Sequence, residues 1–465
     1  MDLPIDIADN LLEPRNDLSD GIRGGNQFTQ HTLSISLGFK HSVAFLVSIS
    51  AHIAILSSIK QFRSSIQVKM ALARPVYLVA AKRTAFGTFG GALKNFTATD
   101  LGVVAATAAL QAGNVDPTVV DSVVVGNVAQ TSSDGPYIAR HVGLRSGVKI
   151  ESPALTVNRL CGSGFQAIVT GVQEIQIGDS KIVLTAGAES MSQAPYAVRG
   201  TRFGIPLGVS PQLEDTLWQT LTDNYIKTPM GITAETLAEK YSISGEECNQ
   251  FAVQSQTRWF EANKDGKFKD EIEPMSIKGK KGPENFDTDE HPRMTSVEKL
   301  AKLPPVFKKG GTVNAGNASG ICDGAAAVIL ASEQAVKDHN LTPLARLVAY
   351  GIAGVDPRVM GIGPVPAIKS ALSKSGLSLN DMSLVEVNEA FAPQALAVMK
   401  ELDLNPEITN VNGGAISLGH PVGASGARIA GHLIYELKRR SAKYAIGSAC
   451  IGGGQGIAVI LENLQ

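Results

Sequence analysis

The second half of this chain repeats the pattern of the first half. VDSVVVGN (120–127) returns as LVEVN (384–388), TVN returns as NVN (410–412), and KIVLTAG (181–187) returns as KYAIGSA (443–449). The three pairs keep the same order, and the members of each pair are separated by roughly 260 residues, a period far longer than that of a solenoid repeat. The pattern predicts two similar α/β halves packed together, with chance similarity between ordinary buried strands as the alternative.

Helix signals lie between these strands. TATDLGVVAATAALQAG (97–113) begins with a capping box and ends in glycine, and PVPAIKSALSKSG (364–376) has the same periodicity and the same terminal glycine. The stretch 194–311 belongs to neither half, because it contains a longer amphipathic helix with its own capping box and then a charged run. We interpret it as an insertion, and insertions of this size often shape a binding site.

The composition narrows the possible functions. The chain has 465 residues and a formal net charge of −1, so nothing favours a nucleic-acid partner. Its four cysteines (Cys161, Cys248, Cys322 and Cys450) have neither the density of a disulfide framework nor the spacing of a zinc site. We therefore expect an α/β protein of a reducing compartment that binds no metal.

Residues 1–69 differ from the rest of the chain. The first twenty are acidic, residues 21–69 contain no Asp or Glu, and residues 41–60 hold an apolar run of near-spanning length that several serines dilute. We expect a targeting or poorly ordered extension without stable membrane insertion, with an over-long gene model as the alternative. A strand-like run follows Met70, so the folded part is expected to start there. The basic, acid-free stretch from Met70 is compatible with an import signal.

Two cysteines lie where predicted strands end. Cys161, in NRLCGSGFQ, precedes a helical pattern, which predicts a thiol at a helix N-terminus, where backbone N–H groups and the helix dipole favour a thiolate. We expect its neighbouring glycines to let a substrate carbonyl approach. Cys450, in GSACIGGGQG, precedes three glycines. A buried, inert cysteine is the alternative for Cys161, and it is our interpretation of Cys248 and Cys322.

Two further polar residues lie in similar positions in the second half. NVNGGAISLGHPVGASGAR places His420 in a glycine-rich loop before a helix, and NEAF places Asn388 at the end of a strand. Sites in α/β folds collect at strand ends. Two cysteines, a histidine and an asparagine suggest a nucleophile, a base, a second acid/base and a carbonyl-polarising donor. Such a set suits thioester chemistry.

These segments resemble the active-site segments of the thiolase family, and GTVNAGNASG (311–320) resembles its coenzyme A segment. NRLCGSGFQ, SMSQAPY and KLPPVFKKGGT are most similar to mitochondrial 3-ketoacyl-CoA thiolases of fatty acid β-oxidation. The resemblance implies a thiolase-like α/β fold of two duplicated mixed-sheet halves stacked as five layers (αβαβα), with an inserted loop domain over the coenzyme A. The implied divisions are the extension (1–69), the N-terminal half (70–193), the inserted loop domain (194–311), the return to the N-terminal half (312–342) and the C-terminal half (343–465).

The resemblance also implies a mechanism. His420 would take the proton of Cys161, whose thiolate attacks a 3-ketoacyl-CoA, while Cys450 exchanges protons with the acetyl-CoA enolate and with the incoming coenzyme A. One oxyanion hole is implied at His420 with a water held by Asn388, and a second at the N–H groups of Cys161 and Gly452. The side chains implied to contact coenzyme A are those of Met230, Arg293, Ser296, Phe307 and Ser319.

The resemblance further implies that coenzyme A is a co-substrate, with no tightly bound cofactor, in a mitochondrial matrix homo-oligomer. An acetoacetyl-CoA thiolase, a ketoacyl synthase and an inactive acyl-CoA-binding protein are the alternatives. A ketoacyl synthase normally uses two histidines beside its cysteine, whereas only His420 of the eight histidines lies in such a motif. Asn314, Cys322 and AGAES (186–190) depart from the usual family residues and leave the preferred acyl chain length open.

Overall fold

The computed structural model describes residues 72–279 and 282–465. Its strands are β1 (Val76–Thr84), β2 (Gly87–Thr88), β3 (Ser122–Gly126), β4 (Ala154–Val157), β5 (Ile182–Ser190), β6 (Tyr196–Val198), β7 (Leu213–Asp215), β8 (Thr222–Asp223), β9 (Thr228–Pro229), β10 (Ile272–Glu273), β11 (Met275–Gly279), β12 (Gly282–Phe286), β13 (Cys322–Ser332), β14 (Ala345–Gly354), β15 (Leu384–Val387), β16 (Tyr444–Ile451) and β17 (Gln455–Asn463). Its α-helices are α1 (Ala98–Ala112), α2 (Ile138–Arg145), α3 (Ser163–Ile177), α4 (Thr216–Thr220), α5 (Met230–Lys240), α6 (Gly245–Lys264), α7 (Val297–Leu300), α8 (Glu333–Asp338), α9 (Pro364–Ser375), α10 (Ala392–Leu402), α11 (Ala415–Leu418) and α12 (Ser425–Arg440).

The main sheet shows the internal duplication directly. Its strand order is β15-β16-β17-β14-β1-β13-β5-β3-β4, and the two halves meet where β1 and β14 pair antiparallel, with Leu78 opposite Ala345. Read outward from that junction, β14-β17-β16-β15 repeats β1-β13-β5-β3, so β3 corresponds to β15 and β5 to β16. The duplicated α/β halves expected from the sequence are confirmed.

The remaining sequence echo has a weaker structural counterpart. TVN lies at the end of β4, whereas NVN forms only isolated β-bridges. The isolated bridge nearest to the sheet is the parallel one between Val385 of β15 and Thr409. That bridge occupies the position beside β15 that β4 occupies beside β3. In the second half, the segment around Thr409 therefore occupies the position of this edge strand but does not form a regular β-ladder with β15.

Helices cover and separate the two halves of the sheet. Helix α1 packs on the outer face of β1, β5 and β13, and α9 packs on the outer face of β14, β16 and β17. Helices α3 and α12 lie between them and contact each other and both halves of the sheet. The apolar residues form one cluster in each of these three spaces, which gives the expected five layers, αβαβα.

The two central helices approach closely at glycines. A Cβ at Gly164 would lie 2.5 Å from the backbone nitrogen of Ala427, and one at Gly426 would collide with the backbone of Phe165. A Cβ at Gly162 would lie 2.6 Å from the side chain of Ile451. The glycines beside Cys161 thus make room for the second half of the protein, and the approach of a substrate carbonyl past them stays a prediction.

The segment 194–311 lies against the C-terminal part of the chain. It contains α4 to α7, and α5 and α6 pack against α10 and α11.

The expected domain boundaries stay a prediction. The extension and the apolar run 41–60 lie outside the described residues. Within 72–279 and 282–465, none of the helices combines the length and the apolar character needed to cross a membrane.

Candidate active site

Cys161 lies in a short turn of 3₁₀-helix (Leu160–Gly162) between β4 and α3. The preceding Leu160 has a φ of 45°, in the left-handed region that a branched residue rarely occupies. Backbone strain of this kind persists only where the surrounding structure enforces it, and it is common at functional sites. The turn places the partly buried thiol at the junction of the two halves rather than inside helix α3.

The electrostatics of Cys161 differ from the sequence-based expectation. Burial raises the pKa of the thiol to about 11, and the carboxyl group of Glu189 contributes in the same direction. The backbone N–H groups of Gly452 and of Cys161 itself lower that pKa, but by less than burial raises it. Desolvation of the charged form outweighs the N–H groups that favour a thiolate, so the thiol is protonated at rest. A base must therefore remove the proton.

The same two N–H groups define a binding position. Both lie close enough to the thiol of Cys161 to lower its pKa, and Gly452 lines the same cavity, so they are near an oxygen carried on a carbon bonded to that sulfur. Paired backbone N–H groups that meet a developing oxyanion stabilise it without reorganisation. The geometry suits an acyl group held on Cys161.

His420 lies between α11 and α12, and its imidazole is buried. Its Nδ1 lies 2.6 Å from the hydroxyl of Ser425, and that hydroxyl donates to the carbonyl of Pro421 at 3.1 Å. A hydroxyl has one hydrogen, so Ser425 accepts from Nδ1–H and the lone pair is left on Nε2. Burial, aided by the charge of Arg428, lowers the pKa of His420 to about 3. His420 is a neutral imidazole with Nε2 free to take a proton.

Asn388 follows β15 directly, and its backbone N–H donates to the carbonyl of Ser448. Its side-chain Nδ2 lies 3.3 Å from Nε2 of His420. The Oδ1 atom is buried without a hydrogen-bond partner in the described part of the chain. A buried amide oxygen of this kind is costly unless a water or a ligand meets it, which marks the space beside Asn388 and His420 as polar.

Cys450 lies near the end of β16 and is completely buried. Burial raises the pKa of this thiol well above its usual value, and the nearby thiol of Cys161 raises it further. The two sulfurs are thus close enough for their charges to interact. Cys450 packs with Met360 and Ala390, and Met230 closes the same cluster.

A cavity of about 390 Å³ opens onto the thiol of Cys161, whereas Asn388, His420 and Cys450 are not part of its lining. Cys161, Met230 and Gly452 line it, with Val128, Val422 and the stretch 219–223 as further walls. These additional wall residues were not predicted from the sequence motifs. Val422 could have been found, because it lies in the same motif as His420. Val128 and residues 219–223 belong to no motif that indicates a site.

The five residues expected to contact coenzyme A are not all in one place. Met230 lines the cavity, and Phe307 packs on the neighbouring Gly231, with its ring centroid 6.0 Å from that of Phe391. The backbone N–H of Ser319 donates to the carbonyl of Ala390, close to Cys450.

The other two expected contacts lie elsewhere. Arg293 has an exposed side chain and is held through its backbone by Gln256, and Ser296 caps α7. Neither of them lines the cavity that contains Cys161. Their contact with coenzyme A stays a prediction.

Comparison with known proteins shows the family to which a chain with this fold and these residues belongs. The family model described as "Thiolase, N-terminal domain" matches residues 76–334, and "Thiolase, C-terminal domain" matches 341–463. The chain belongs to the thiolase family.

Within that family, the chain is similar to two proteins named "3-ketoacyl-CoA thiolase, mitochondrial", from Bos taurus and Homo sapiens. Each is 64% identical over 395 residues, which is 85% of this chain and 100% of the relative. "Beta-ketothiolase BktB" of Cupriavidus necator is 48% identical over 84% of this chain and 100% of its own. The crystal structure of human mitochondrial 3-ketoacyl-CoA thiolase in complex with CoA has a TM-score of 0.83 and 63% identity, over 85% of this chain and 99% of that one.

Proposed function

We propose that this protein is an acetyl-CoA C-acyltransferase, a 3-ketoacyl-CoA thiolase of fatty acid β-oxidation. It cleaves a 3-ketoacyl-CoA with coenzyme A, which is a co-substrate, to give acetyl-CoA and an acyl-CoA that is two carbons shorter. The observation that carries the proposal is the thiol of Cys161 in a cavity beside the backbone N–H groups of Cys161 and Gly452. The 64% identity to mitochondrial 3-ketoacyl-CoA thiolases supports it.

The first half-reaction forms an acyl-cysteine. Nε2 of His420 takes the proton of Cys161, and the thiolate attacks the 3-keto carbon. The bond between C2 and C3 then breaks, its electron pair moves into the thioester oxygen of the departing acetyl-CoA enolate, and Cys450 protonates C2. The enolate oxygen is stabilised by protonated His420 and by a water on Asn388, whose Oδ1 lacks a partner among the described residues.

The second half-reaction releases the shortened chain. The thiol of a second coenzyme A gives its proton to Cys450, and the resulting thiolate attacks the acyl carbon on Cys161. The N–H groups of Cys161 and Gly452 stabilise the oxyanion, the bond between Cys161 and the acyl carbon breaks, and Cys161 regains its proton from His420. Both cysteines finish in the protonated state that their raised pKa values favour.

Five side chains are proposed to hold coenzyme A: Met230, Arg293, Ser296, Phe307 and Ser319. Met230 and Phe307 are supported by their position at and beside the cavity. Arg293 would meet phosphate groups, since its guanidinium is exposed and free to bind an anion in bidentate form. Ser319 would contact the pantetheine end of the molecule.

The experiment is an assay of coenzyme A-dependent loss of 3-ketoacyl-CoA over a panel of chain lengths. We expect thiolysis of substrates longer than acetoacetyl-CoA, and its loss in Cys161→Ala. Cys248→Ala is the matched control, because Cys248 is a buried cysteine on α6 that packs in a separate cluster. Activity on acetoacetyl-CoA alone would favour the acetoacetyl-CoA thiolase, and a folded protein that binds coenzyme A without turnover would favour the inactive binding protein.

The protein is proposed to act in the mitochondrial matrix, as the names of its most similar relatives indicate for those proteins. A fluorescent reporter fused after residue 90 of the full N-terminal sequence, imaged beside a matrix marker, tests this. A cytosolic reporter would contradict it.

A homo-oligomer is supported by exposed apolar surface. Strand β4 ends the main sheet, and no further strand pairs with it in 72–279 or 282–465, while its Leu155 is 48% exposed. The hairpin of β6 and β7 connects through Phe203 and Leu207, which are almost completely exposed. Free strand edges and exposed apolar residues are typical of surfaces that associate. Light scattering at several protein concentrations tests the proposal, and a monomer throughout would contradict it.

A further inference from the structure

Glu189 is a buried carboxylate at the end of β5, with no exposed surface. Its Oε1 accepts from the backbone N–H of Ala129 at 3.0 Å and from the side chain of Asn127 at 3.3 Å. Its Oε2 accepts from the backbone N–H of Val128 at 3.1 Å and from that of Gly423 at 2.9 Å. One side chain thus receives four N–H donors, which is the full complement that a carboxylate accepts.

These donors come from both halves of the protein. Asn127 to Ala129 follow β3 of the first half, whereas Gly423 lies in the turn that joins His420 to α12 of the second half. Val128 and Val422, which lie at or beside the donors, both line the cavity that holds Cys161 and pack in one apolar cluster. The carboxylate therefore fixes both walls, and the turn after His420, to one point.

No cation neutralises this group within the described residues, since none of their salt bridges includes Glu189. Burial raises its pKa to about 8, the three backbone N–H groups lower it, and the carboxylate of Asp323 on β13 raises it further. Asp323 itself is held by the hydroxyl and backbone N–H of Ser192. The other titratable group that faces Glu189 is Cys161, whose ionisation the charge of Glu189 opposes.

We propose that Glu189 is a positioning residue of the thiolase reaction: through its four hydrogen bonds it locks the cavity walls of the two halves together, with its charge on the side of Cys161. The predicted effect of Glu189 on turnover rests on the proposed function. The predicted effect of Glu189 on the thiol of Cys161 does not depend on that function. A thiol held protonated at rest does not react with stray electrophiles, because the thiolate is the reactive form.

The test uses the full chain and Glu189→Gln, which keeps the size of the side chain, removes the charge and turns an amide N–H₂ toward N–H donors. We expect kcat to fall by about tenfold or more. The amide has one acceptor oxygen in place of two, so one pair of buried N–H donors is left without an acceptor. The second readout is the pH dependence of alkylation of Cys161 by iodoacetamide in the resting protein, followed by peptide mass spectrometry.

The direction of the alkylation shift follows from the charge. Without the carboxylate, the thiolate of Cys161 is less disfavoured, so the alkylation midpoint moves to lower pH. The difference between the variant and the parent is largest above pH 8, where Glu189 is ionised, and it shrinks below that pH. A structural loosening would also hydrate the thiol and lower its pKa, so the effect of the charge is the part of the midpoint shift that Glu189→Asp, which keeps the charge, does not show.

Glu389→Gln is the matched control, because Glu389 is equally buried and accepts from Ser255, Asn410 and the backbone of Ile416. We expect it to leave the alkylation midpoint of Cys161 unchanged. Unchanged kcat and an unchanged midpoint in Glu189→Gln would overturn the proposal, as would an equal midpoint shift in both variants.

If Glu189→Gln is insoluble, Glu189→Asp decides, since it keeps the charge but is too short to reach both loops. It should keep the parent alkylation midpoint and lose kcat, and parent kcat would overturn the positioning role. Failure of the proposed function leaves a different signature, because no variant or parent would then turn over substrate while the alkylation readout would still report on Glu189.

Discussion

The amide Nδ2 of Asn388 lies 3.3 Å from Nε2 of His420, on the opposite side of the imidazole from Ser425. Because Nδ1–H is committed to the Ser425 hydroxyl, Nε2 is the acceptor and Asn388 donates to it. Both ring nitrogens are therefore oriented before any substrate arrives. The imidazole stays neutral because burial lowers its pKa to about 3.

Asn388→Ala should lower kcat by about 10²-fold, the typical effect of removing one donor from an oxyanion site. The folded protein should be nearly as stable as the parent, because Oδ1 has no partner among the described residues and only one side-chain bond is lost. Steady-state kinetics and thermal unfolding check both statements. Parent kcat in a folded variant would remove Asn388 from the mechanism.

Ser425→Ala should lower kcat by about tenfold, the scale of one neutral hydrogen bond, because the imidazole loses the acceptor that selects its tautomer. The KM for coenzyme A should change little. Ser152→Ala is the control, since Ser152 is also buried and bonded to a backbone carbonyl, that of Val120. Equal losses in both variants would contradict the positioning role.

The reactivity of Cys161 should rise steeply with pH in the resting protein. Since burial raises the pKa of its thiol to about 11, the thiolate fraction grows about tenfold for each pH unit up to that value. The iodoacetamide rate at Cys161 should therefore still be increasing at pH 9.5. A plateau with a midpoint below pH 8 would mean that a thiolate is present at rest.

Gly164→Ala should destabilise the protein by about 1–3 kcal/mol, the usual cost of overpacking a tight interior. The new methyl group would lie 2.5 Å from the backbone nitrogen of Ala427, which cannot move without displacing α12. Gly245→Ala, at the start of α6, is the control and should change stability by less than about 0.5 kcal/mol, because its Cβ would meet only an ordinary contact, 4.0 Å from the Cα of Thr312. Chemical unfolding of both variants measures the difference, and equal stability would contradict the close approach of the helices.

The fold and the positions of the main reactive groups could be predicted from the sequence, but the electrostatics of those groups could not. Strand and helix patterns, repeated at a common spacing, were enough to predict two duplicated halves, and the motif resemblance predicted five layers. The strong effect of burial on the pKa of Cys161 could not be predicted, because a helix N-terminus is a local feature, whereas burial depends on residues far along the chain, such as Gly452.

Glu189 shows the same limit more clearly. It lies one residue before the end of β5, a mostly apolar strand, and no spacing rule links it to Gly423, its partner 234 positions away. Ser425 was closer to prediction, since it lies in the motif of His420, but only the hydrogen bond reveals its part. The roles of Cys161, Asn388, His420 and Cys450 stay predictions.

The most direct test of the acyl-cysteine mechanism is the mass of the protein after brief mixing with a 3-ketoacyl-CoA in the absence of free coenzyme A, followed by peptide mapping. We expect one acyl group, two carbons shorter than the substrate chain, on the peptide that contains Cys161, and its disappearance when coenzyme A is added. An acyl group on another cysteine, or turnover without any acylated Cys161, would contradict it.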